Sequence, residues 1–464
     1  MKKRIVEKKF VLIMSLICVC LTLLAGCGKK EEDTGGEQKQ TSNGQTNDDS
    51  NKWSGTVKVQ LIGNWAMDAT TDPITGQKRK GVDVLKDEFE KRYPGATLEF
   101  ILMGWDSYTQ KTQAMLTVGE CDVYQAPGIA SFAVQGLLEP LQPYIEKDNF
   151  DLNTYIKGQV EGWKAMGPDD KDLQIYGLPV LGDTRVIMYD TKIFDDWGVV
   201  YLSDNPTLQE LEEKAAKMTG KNPKTGDMNY GLSWKGKDSA DTMVNIAELK
   251  GGSWGEGFKP NELTFNFNSK AFVEASNWLL DMKKYAPEGI VTGQGLEKWG
   301  TENNNIAIHL REFPGNVINF DKIEGLEGRY KITKLFINEK EGMGGMFAGS
   351  PFVIGENSKN KDLAWEFLKF SSSDFYQQFI LEEYQQVPCV NSAFEWESIK
   401  SSDNMTVMLD SMQYLWTPRY PYRAGQPRYI LTDAVERFML NDATVEEALA
   451  DAQKEADDWV KSLN

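Results

Sequence analysis

From Thr56 to Met103 the chain writes a strand, a helix and a second strand in succession. TVKVQLI (Thr56 to Ile62) alternates with the two-residue period of a half-buried strand. In VDVLKDEFEKRYPG the apolar residues Val82, Leu85, Phe89 and Tyr93 fall on one helical face, and Pro94 and Gly95 stop the helix. ATLEFILM then returns to strand character. Strands joined through a helix become parallel neighbours, which commits this part of the chain to an open α/β sheet covered by helices. The segment between the first strand and the helix, GNWAMDATTDPITGQKRK, is longer than an ordinary connection, and long loops at strand ends tend to be functional.

The chain in front of this unit has a different character. MKKRIVEKK carries five basic residues and one acid, and an apolar run from Phe10 to Leu24 follows. That run is short for a permanent membrane span, so residues 1–26 read as a cleaved secretory signal. Leu24-Ala25-Gly26-Cys27 resembles the lipobox of bacterial lipoproteins, in which Cys27 would become the lipid-bearing N-terminus. Residues 28–52, GKKEEDTGGEQKQTSNGQTNDDSNK, contain no large apolar side chain to bury. They read as a flexible tether whose reach, about 5 to 6 Å times the square root of its length, holds a folded body on the order of 25 to 30 Å from a membrane.

Residues 53–464 are more than one hydrophobic core usually serves, so two domains are expected. The formal net charge of −18 becomes −22 once the net +4 of the signal is removed, which argues against a nucleic-acid partner and disfavours an anionic ligand. Of five cysteines, Cys18 and Cys20 fall in the signal and Cys27 is the lipid site, leaving Cys121 and Cys389, read as two buried free thiols. One histidine, His309 in the apolar IAIHL, gives a zinc site almost nothing to be made of; no metal or other cofactor is expected. Thr207 with Glu210 and Thr444 with Glu447 have the spacing of capping boxes. The second opens a closing helix with Ala448, Leu449, Ala452, Ala456, Trp459, Val460 and Leu463 on one face.

Six segments then follow in order: GWDSYTQKTQAMLTVGECDVYQAPG, GLLEPLQPYI, IYGLPVLGDTRVIMYDTKIFDDWGV, PTLQELEEKAAKMTG, KDLAWEFLKFSSS and TVEEALADAQKE. In this order, behind a lipobox, the chain resembles the extracellular solute-binding proteins of the sugar-binding class, the receptor subunits of ABC importers. It departs from their pattern at Cys121, where Pro is common, at Asp190, where Asn is common, and in the long loop after the first strand. The resemblance implies an α/β, two-lobed periplasmic-binding-protein-like fold with hinge-linked discontinuous lobes. The expected boundaries are 53–183 with 317–370 for lobe 1 and 184–316 with 371–464 for lobe 2, with crossings near Leu181 to Met188, Pro314 to Phe320 and Ser371. It also implies a carbohydrate ligand, ABC permease subunits as partners, and a monomer held at the extracellular face of the membrane by its lipid.

Sugars offer flat C–H faces and hydroxyl edges, so their sites combine aromatic platforms with planar polar side chains. Of thirteen tryptophans, Trp278, Trp365 and Trp459 sit in helical stripes and read as core. Trp65 and Trp105 follow strands directly, where the ends of an open sheet face a cleft, and Trp234, Trp254 and Trp299 sit in or beside Gly-, Ser- and Asn-rich turns. These five are the candidate platforms. The resemblance adds Gln125 and, at the first hinge crossing, Asp183; Arg185, Glu302, Arg311 and Arg419 are further polar candidates, for which a salt bridge is the alternative reading. The stretch Thr417 to Tyr429, TPRYPYRAGQPRY, reads as a proline-stiffened loop lining the cleft.

Two enzyme readings compete. Gly251-Gly252-Ser253-Trp254-Gly255 matches G-x-S-x-G with Asp281 and His309 following, but a hydrolase elbow needs a strand before its serine and TMVNIAELK reads as helix. A glycosidase using two of the 69 acidic residues has no spacing to support it. A peptide or polyamine receptor is the non-enzymatic alternative. The expectation is a lipid-anchored receptor that captures a sugar or oligosaccharide and breaks no bonds.

Overall fold

The computed structural model describes residues 53–182, 184–336, 351–414 and 425–463. Cys27, the tether and most of the stretch Thr417 to Tyr429 lie outside them. The opening unit forms as expected: β1 (Gly55–Ile62), the helix Asp83–Arg92 and β2 (Ala96–Met103). β1 and β2 run parallel in unbroken register, Gly55 opposite Ala96 through Ile62 opposite Met103. Val82, Leu85 and Phe89 are fully buried, as their helical spacing requires.

In chain order there follow β3 (Val123–Gln125), β4 (Val186–Asp190), β5 (Gly220–Lys221), β6 (Met228–Ser233), β7 (Ile306–Glu312), β8 (Tyr330–Lys334) and β9 (Phe352–Ile354). They make two main sheets, ordered β9-β3-β1-β2 and β8-β4-β7-β6-β5. In the first, β3 is parallel to β1 and β9 returns antiparallel. In the second, β6 and β7 are parallel, while β5, β4 and β8 each run antiparallel to a neighbour. This is the two-lobed α/β architecture, with each lobe assembled from separated stretches of chain.

Two hydrophobic cores go with the two sheets. The first gathers Val57, Val59 and Leu61 with Phe89, Tyr124, Phe352 and Phe367; the second gathers Leu232, Ile308 and Leu310 with Phe272, Phe438 and Leu449. β4 serves both, because successive side chains of a strand point to opposite faces: Val186 and Met188 enter the first core, Ile187 and Tyr189 the second.

The strand and core assignments depart from the expected segmentation in two places. β8 pairs along the whole of β4, so Tyr330–Lys334 belongs to the second sheet although it falls within 317–370 and its Tyr330 and Ile332 side chains enter the first core. The helix Asp374–Tyr384 and the stretch from Val387 to Met412 contribute Phe379, Ile380, Val387, Met408 and Met412 to the first core, although both fall within 371–464. The physical reason is local. Only Ser372 and Ser373 separate this helix from the preceding Lys361–Ser371, and so short a connection keeps both helices on one core.

The helix starts test the capping arithmetic. Thr444 and Glu447 form the full reciprocal box at the start of Val445–Ser462, and Ala448, Leu449, Ala452 and Ala456 are buried on the expected face. Thr207 accepts from the Glu210 N–H, but the Glu210 carboxylate turns instead to Ser203 and Lys214, so the first box is only half made. Cys121 and Cys389 are buried free thiols, and burial pushes Cys121 up to about 12.

Candidate ligand-binding site

β1 ends at Ile62, and Gly63 turns the chain at a φ of 137°, a conformation that needs a glycine. The turn folds the Trp65 indole back so that its N–H donates to the Ile62 carbonyl at 2.9 Å. A Cβ on Gly63 would lie 3.2 Å from Trp65 Nε1 and 3.8 Å from Trp105 Nε1, so two indoles converge over one glycine. Trp105, just past β2, is 53% exposed and meets Tyr108 edge-on, with ring centroids 5.3 Å apart. Gln125, at the end of β3, differs from the expectation: it is buried, and its Oε1 accepts from the Ile62 N–H at 2.7 Å. It ties two strand ends together and does not offer that oxygen to a ligand.

The second lobe ends its strands on charge. A register shift in β7 between His309 and Glu312 accompanies a left-handed Arg311, with φ of 59°. Such bulges re-aim side chains, and here Arg311 meets Asp238 at 3.2 Å and Asp241 at 3.4 Å. Arg428, in the helix Gln426–Met439, completes the group through Asp241 at 2.8 Å and Asp238 at 3.4 Å. Asp241 beside it raises the Arg428 guanidinium beyond its ordinary range despite burial.

Beneath this lies a second polar group. Glu312, almost fully buried, accepts from the Phe313 N–H, the Asn316 amide and the Trp299 indole at 2.7, 2.9 and 2.9 Å, with Lys235 Nζ at 3.6 Å. Burial pushes its carboxyl up, but His309, Lys235 and these donors outweigh that and hold it below its usual range. Burial brings His309 down to about 4, so its imidazole is neutral near pH 7 and exchanges a 2.7 Å hydrogen bond with Ser233 Oγ. Trp299 lies over His309 at 5.0 Å and is half-buried, a post for this group.

Contacts join elements of the first core to elements of the second, among them Lys334 Nζ with Asp410 at 2.7 Å. Lys259 Nζ donates to the Asp170 carbonyl at 2.7 Å. Burial pushes the Tyr108 phenol up, against its hydrogen bond with Thr109 and the Arg428 guanidinium, which draw it down.

The other candidates fall elsewhere. Trp234 has no exposed surface and donates to Ser239 Oγ at 2.8 Å, and Trp254 is 2% exposed against Phe265 and Phe267. Both are core residues of the second lobe, a correction to the expectation: their Gly- and Ser-rich turns bend them inward. Arg185 donates to the Thr184 carbonyl at 2.7 Å and lies over Phe313, and Glu302 is exposed with its carbonyl accepting from Arg329. Asp183 and Arg419 lie outside the described residues. Ser253 precedes a two-residue strand, and His309 pairs with Ser233, so the G-x-S-x-G match has no histidine. Tyr108, Asp238 and Asp241 escape the sequence reading, while Arg428 falls in the stretch Thr417 to Tyr429 read there as a cleft-lining loop, whose residues 426–429 instead begin the helix Gln426–Met439.

Aromatic faces at the strand ends of one lobe and carboxylates held by arginines at those of the other suit stacking and hydroxyl recognition. Among the described residues no group of three His, Cys, Asp or Glu is placed to hold a metal, and no helix is long and apolar enough to cross a membrane.

Residues 75–378 match the family model of the bacterial extracellular solute-binding proteins. The chain belongs to that family, whose members bind solutes and are not enzymes. It is 26% identical over 302 residues to a protein of Brucella abortus (strain 2308) named as a binding protein, covering 62% of this chain and 67% of that one. The fold is similar to that of the sugar-binding protein MalE from Xanthomonas citri, with a TM-score of 0.70 and 19% identity over 88% of this chain and 98% of that one. It is also similar to maltose-bound MalE3 of T. maritima, with a TM-score of 0.67 and 18% identity over 88% and 100% of the two chains. A third likeness is the ABC substrate-binding protein Lmo0181 from Listeria monocytogenes in complex with cycloalternan, with a TM-score of 0.64 and 19% identity over 86% and 97%.

Proposed function

We propose that this protein is a carbohydrate receptor, anchored through a lipid on Cys27 at the extracellular face of the membrane, that delivers an oligosaccharide or sugar to an ABC import permease. The observation that carries the reading is the convergence of Trp65 and Trp105 over Gly63 in one lobe, with carboxylates committed to arginines at the strand ends of the other. A stacked sugar ring finds an apolar face on the first lobe and hydroxyl acceptors on the second. The sugar-binding titles among proteins of similar fold support the same class. A polyamine would seek unneutralised acids, and Asp238 and Asp241 face two guanidiniums, which speaks against the cationic alternative.

A ligand touching both lobes favours the closed arrangement by its differential affinity for it. Asp183, carried by resemblance to the first crossing, is proposed to accept from ligand hydroxyls there, and the receptor is proposed to act as a monomer. The test is a thermal-shift and fluorescence titration of the purified mature protein against maltose, maltotriose and longer oligosaccharides. Saturable binding with a change in indole emission is expected. A shift given only by spermidine or peptides would replace the sugar reading.

A further inference from the structure

The loop that follows β1 is clasped at its base by the end of a helix more than 300 residues later in the chain. Tyr384, the last residue of the helix Asp374–Tyr384, is buried, and its ring lies 4.4 Å from the Trp65 ring, tilted by 45°. Its hydroxyl sits 3.4 Å from both the Ala66 N–H and the Ala66 carbonyl and donates to the Lys80 carbonyl at 3.0 Å. Glu383, one residue earlier, accepts from the Lys80 N–H at 2.8 Å. Consecutive residues of one helix end thus take both backbone groups of Lys80, while the phenol also reaches Ala66 at the other end of the excursion. Arg79 closes the ring of contacts: its guanidinium lies 4.6 Å over Tyr384, pairs with Asp72 at 2.8 Å and donates to the Asn64 carbonyl at 2.6 Å.

Trp65 is therefore bracketed. Arg79 holds the residue before it, the Tyr384 hydroxyl holds the residue after it, and the Tyr384 ring packs against its indole. Backbone N–H groups of Val82 and Asp83 fasten the Ala66 and Met67 carbonyls at 2.9 and 3.0 Å, but the ring itself is restrained by its hydrogen bond to Ile62 and by the Tyr384 ring, and each ordering step on binding costs affinity. We propose that Tyr384, seconded by Arg79, is a positioning residue that preorganises Trp65 as a ligand platform. The proposal rests on reading Trp65 as part of the ligand site, and adds how a distant helix sets that platform.

The experiment uses the purified mature protein and has two arms. In the first, without ligand, acrylamide quenching of indole emission is measured for wild type, Tyr384→Phe and Tyr384→Leu, each also in a Trp65→Phe background. Tyr384→Phe keeps the ring and removes the hydroxyl, so it folds while loosening Ala66 and Lys80. Quenching is expected to rise in Tyr384→Phe and further in Tyr384→Leu, and to stay unchanged by either when Trp65 is absent. Equal effects in both backgrounds, or none in either, overturn the proposal. In the second arm maltotriose is the probe, and Tyr384→Phe is expected to weaken binding roughly three- to tenfold, with no further loss in a Trp65→Ala background. A loss that persists without Trp65 overturns positioning. Wild-type affinity in Trp65→Ala, with the quenching result intact, removes Trp65 from the ligand site and leaves its positioning by Tyr384 standing.

Discussion

The two lobes finish their central strands with opposite chemistry. β1 and β2 lead into turns where two indoles, Trp65 and Trp105, gather over a glycine, with Asp106 the acid next to Trp105, and at the end of β3 Gln125 pairs with backbone. β6 and β7 lead into charge: Arg311, Asp238, Asp241 and Arg428 on top, His309, Glu312 and Lys235 below. Tryptophans appear on both sides, yet Trp234 and Trp254 serve the core of the second lobe and Trp299 holds Glu312. The difference teaches that residue type at a strand end does not decide its role; what decides is whether the neighbouring backbone turns the ring outward or folds it under the sheet.

The sharpest way to break this comparison is to cut one tryptophan from each side. Trp234→Ala removes a ring with no exposed surface and leaves Ser239 without its donor, so a loss of about 3 to 5 kcal/mol in urea unfolding is expected. Trp105→Ala, at a half-exposed ring, is expected to leave stability within about 0.5 kcal/mol and to weaken oligosaccharide binding by about 1 to 2 kcal/mol in a calorimetric titration. The opposite pattern would exchange the roles assigned to the two lobes.

Next in size is the charged group. Arg311→Ala takes one of two arginines from Asp238 and Asp241, and removing one partner of a buried ion group costs on the order of 3 kcal/mol. Alanine keeps the Cβ that makes this left-handed backbone costly, so Arg311→Gly is the companion variant, and a loss smaller in Arg311→Gly than in Arg311→Ala would locate strain at residue 311.

The lower polar group predicts a pH dependence. His309 has its folded value brought down from 6.5 to about 4, so the unfolded chain binds the extra proton first, and stability is fully present above about pH 6.5 and is lost as pH falls toward 4. The slope from one such group is at most about 1.4 kcal/mol per pH unit. Thermal melts of wild type and His309→Gln between pH 7 and 4 check it: wild type is expected to lose stability more steeply. Parallel curves would detach the effect from this residue.

How much of this was legible in the sequence follows from the range of each interaction. The strand–helix–strand opening, the buried face of Asp83–Arg92 and the Thr444–Glu447 box are contained within short windows, and period and capping rules reach that far. Glu210 shows the limit even there, because Ser203 and Lys214 compete for the carboxylate that the box requires. The ion group joins positions 238, 241, 311 and 428, and the clasp on Trp65 joins 79 and 384; no window spans them. The membership of β8 was equally hidden, since YKITK specifies a strand and not which open edge it completes.

The smallest expected effects come from two hairpins, one in each lobe, that share a motif: Asp72-Pro73-Ile74-Thr75-Gly76 and Asn222-Pro223-Lys224-Thr225-Gly226. Asp72 Oδ1 accepts from the N–H groups of Ile74 and Thr75, and Asn222 Oδ1 accepts from those of Lys224 and Thr225. The remaining side-chain atom sets them apart. Asp72 Oδ2 takes Arg79 at 2.8 Å, whereas Asn222 Nδ2 donates to Asp196 at 3.0 Å and to Asn229 at 2.9 Å. Burial pushes Asp72 up, but the Thr75 and Ile74 hydrogen bonds with Arg79 outweigh it and hold it below its ordinary 3.8. Its stabilisation is therefore present above 3.8 and lost as pH falls through the lower folded value. Asp72→Asn keeps the turn and loses the ion pair, so a deficit of about 1 kcal/mol is expected at pH 7 that closes only below pH 3.8. Asn222→Asp instead sets a second carboxylate against Asp196, which raises the introduced group, so its deficit is expected to close above pH 3.8. Urea midpoints for the two variants from pH 7 to 3 separate these windows, and deficits that close together would mean that the surrounding charge, not the choice of Asp or Asn, sets the behaviour of each hairpin.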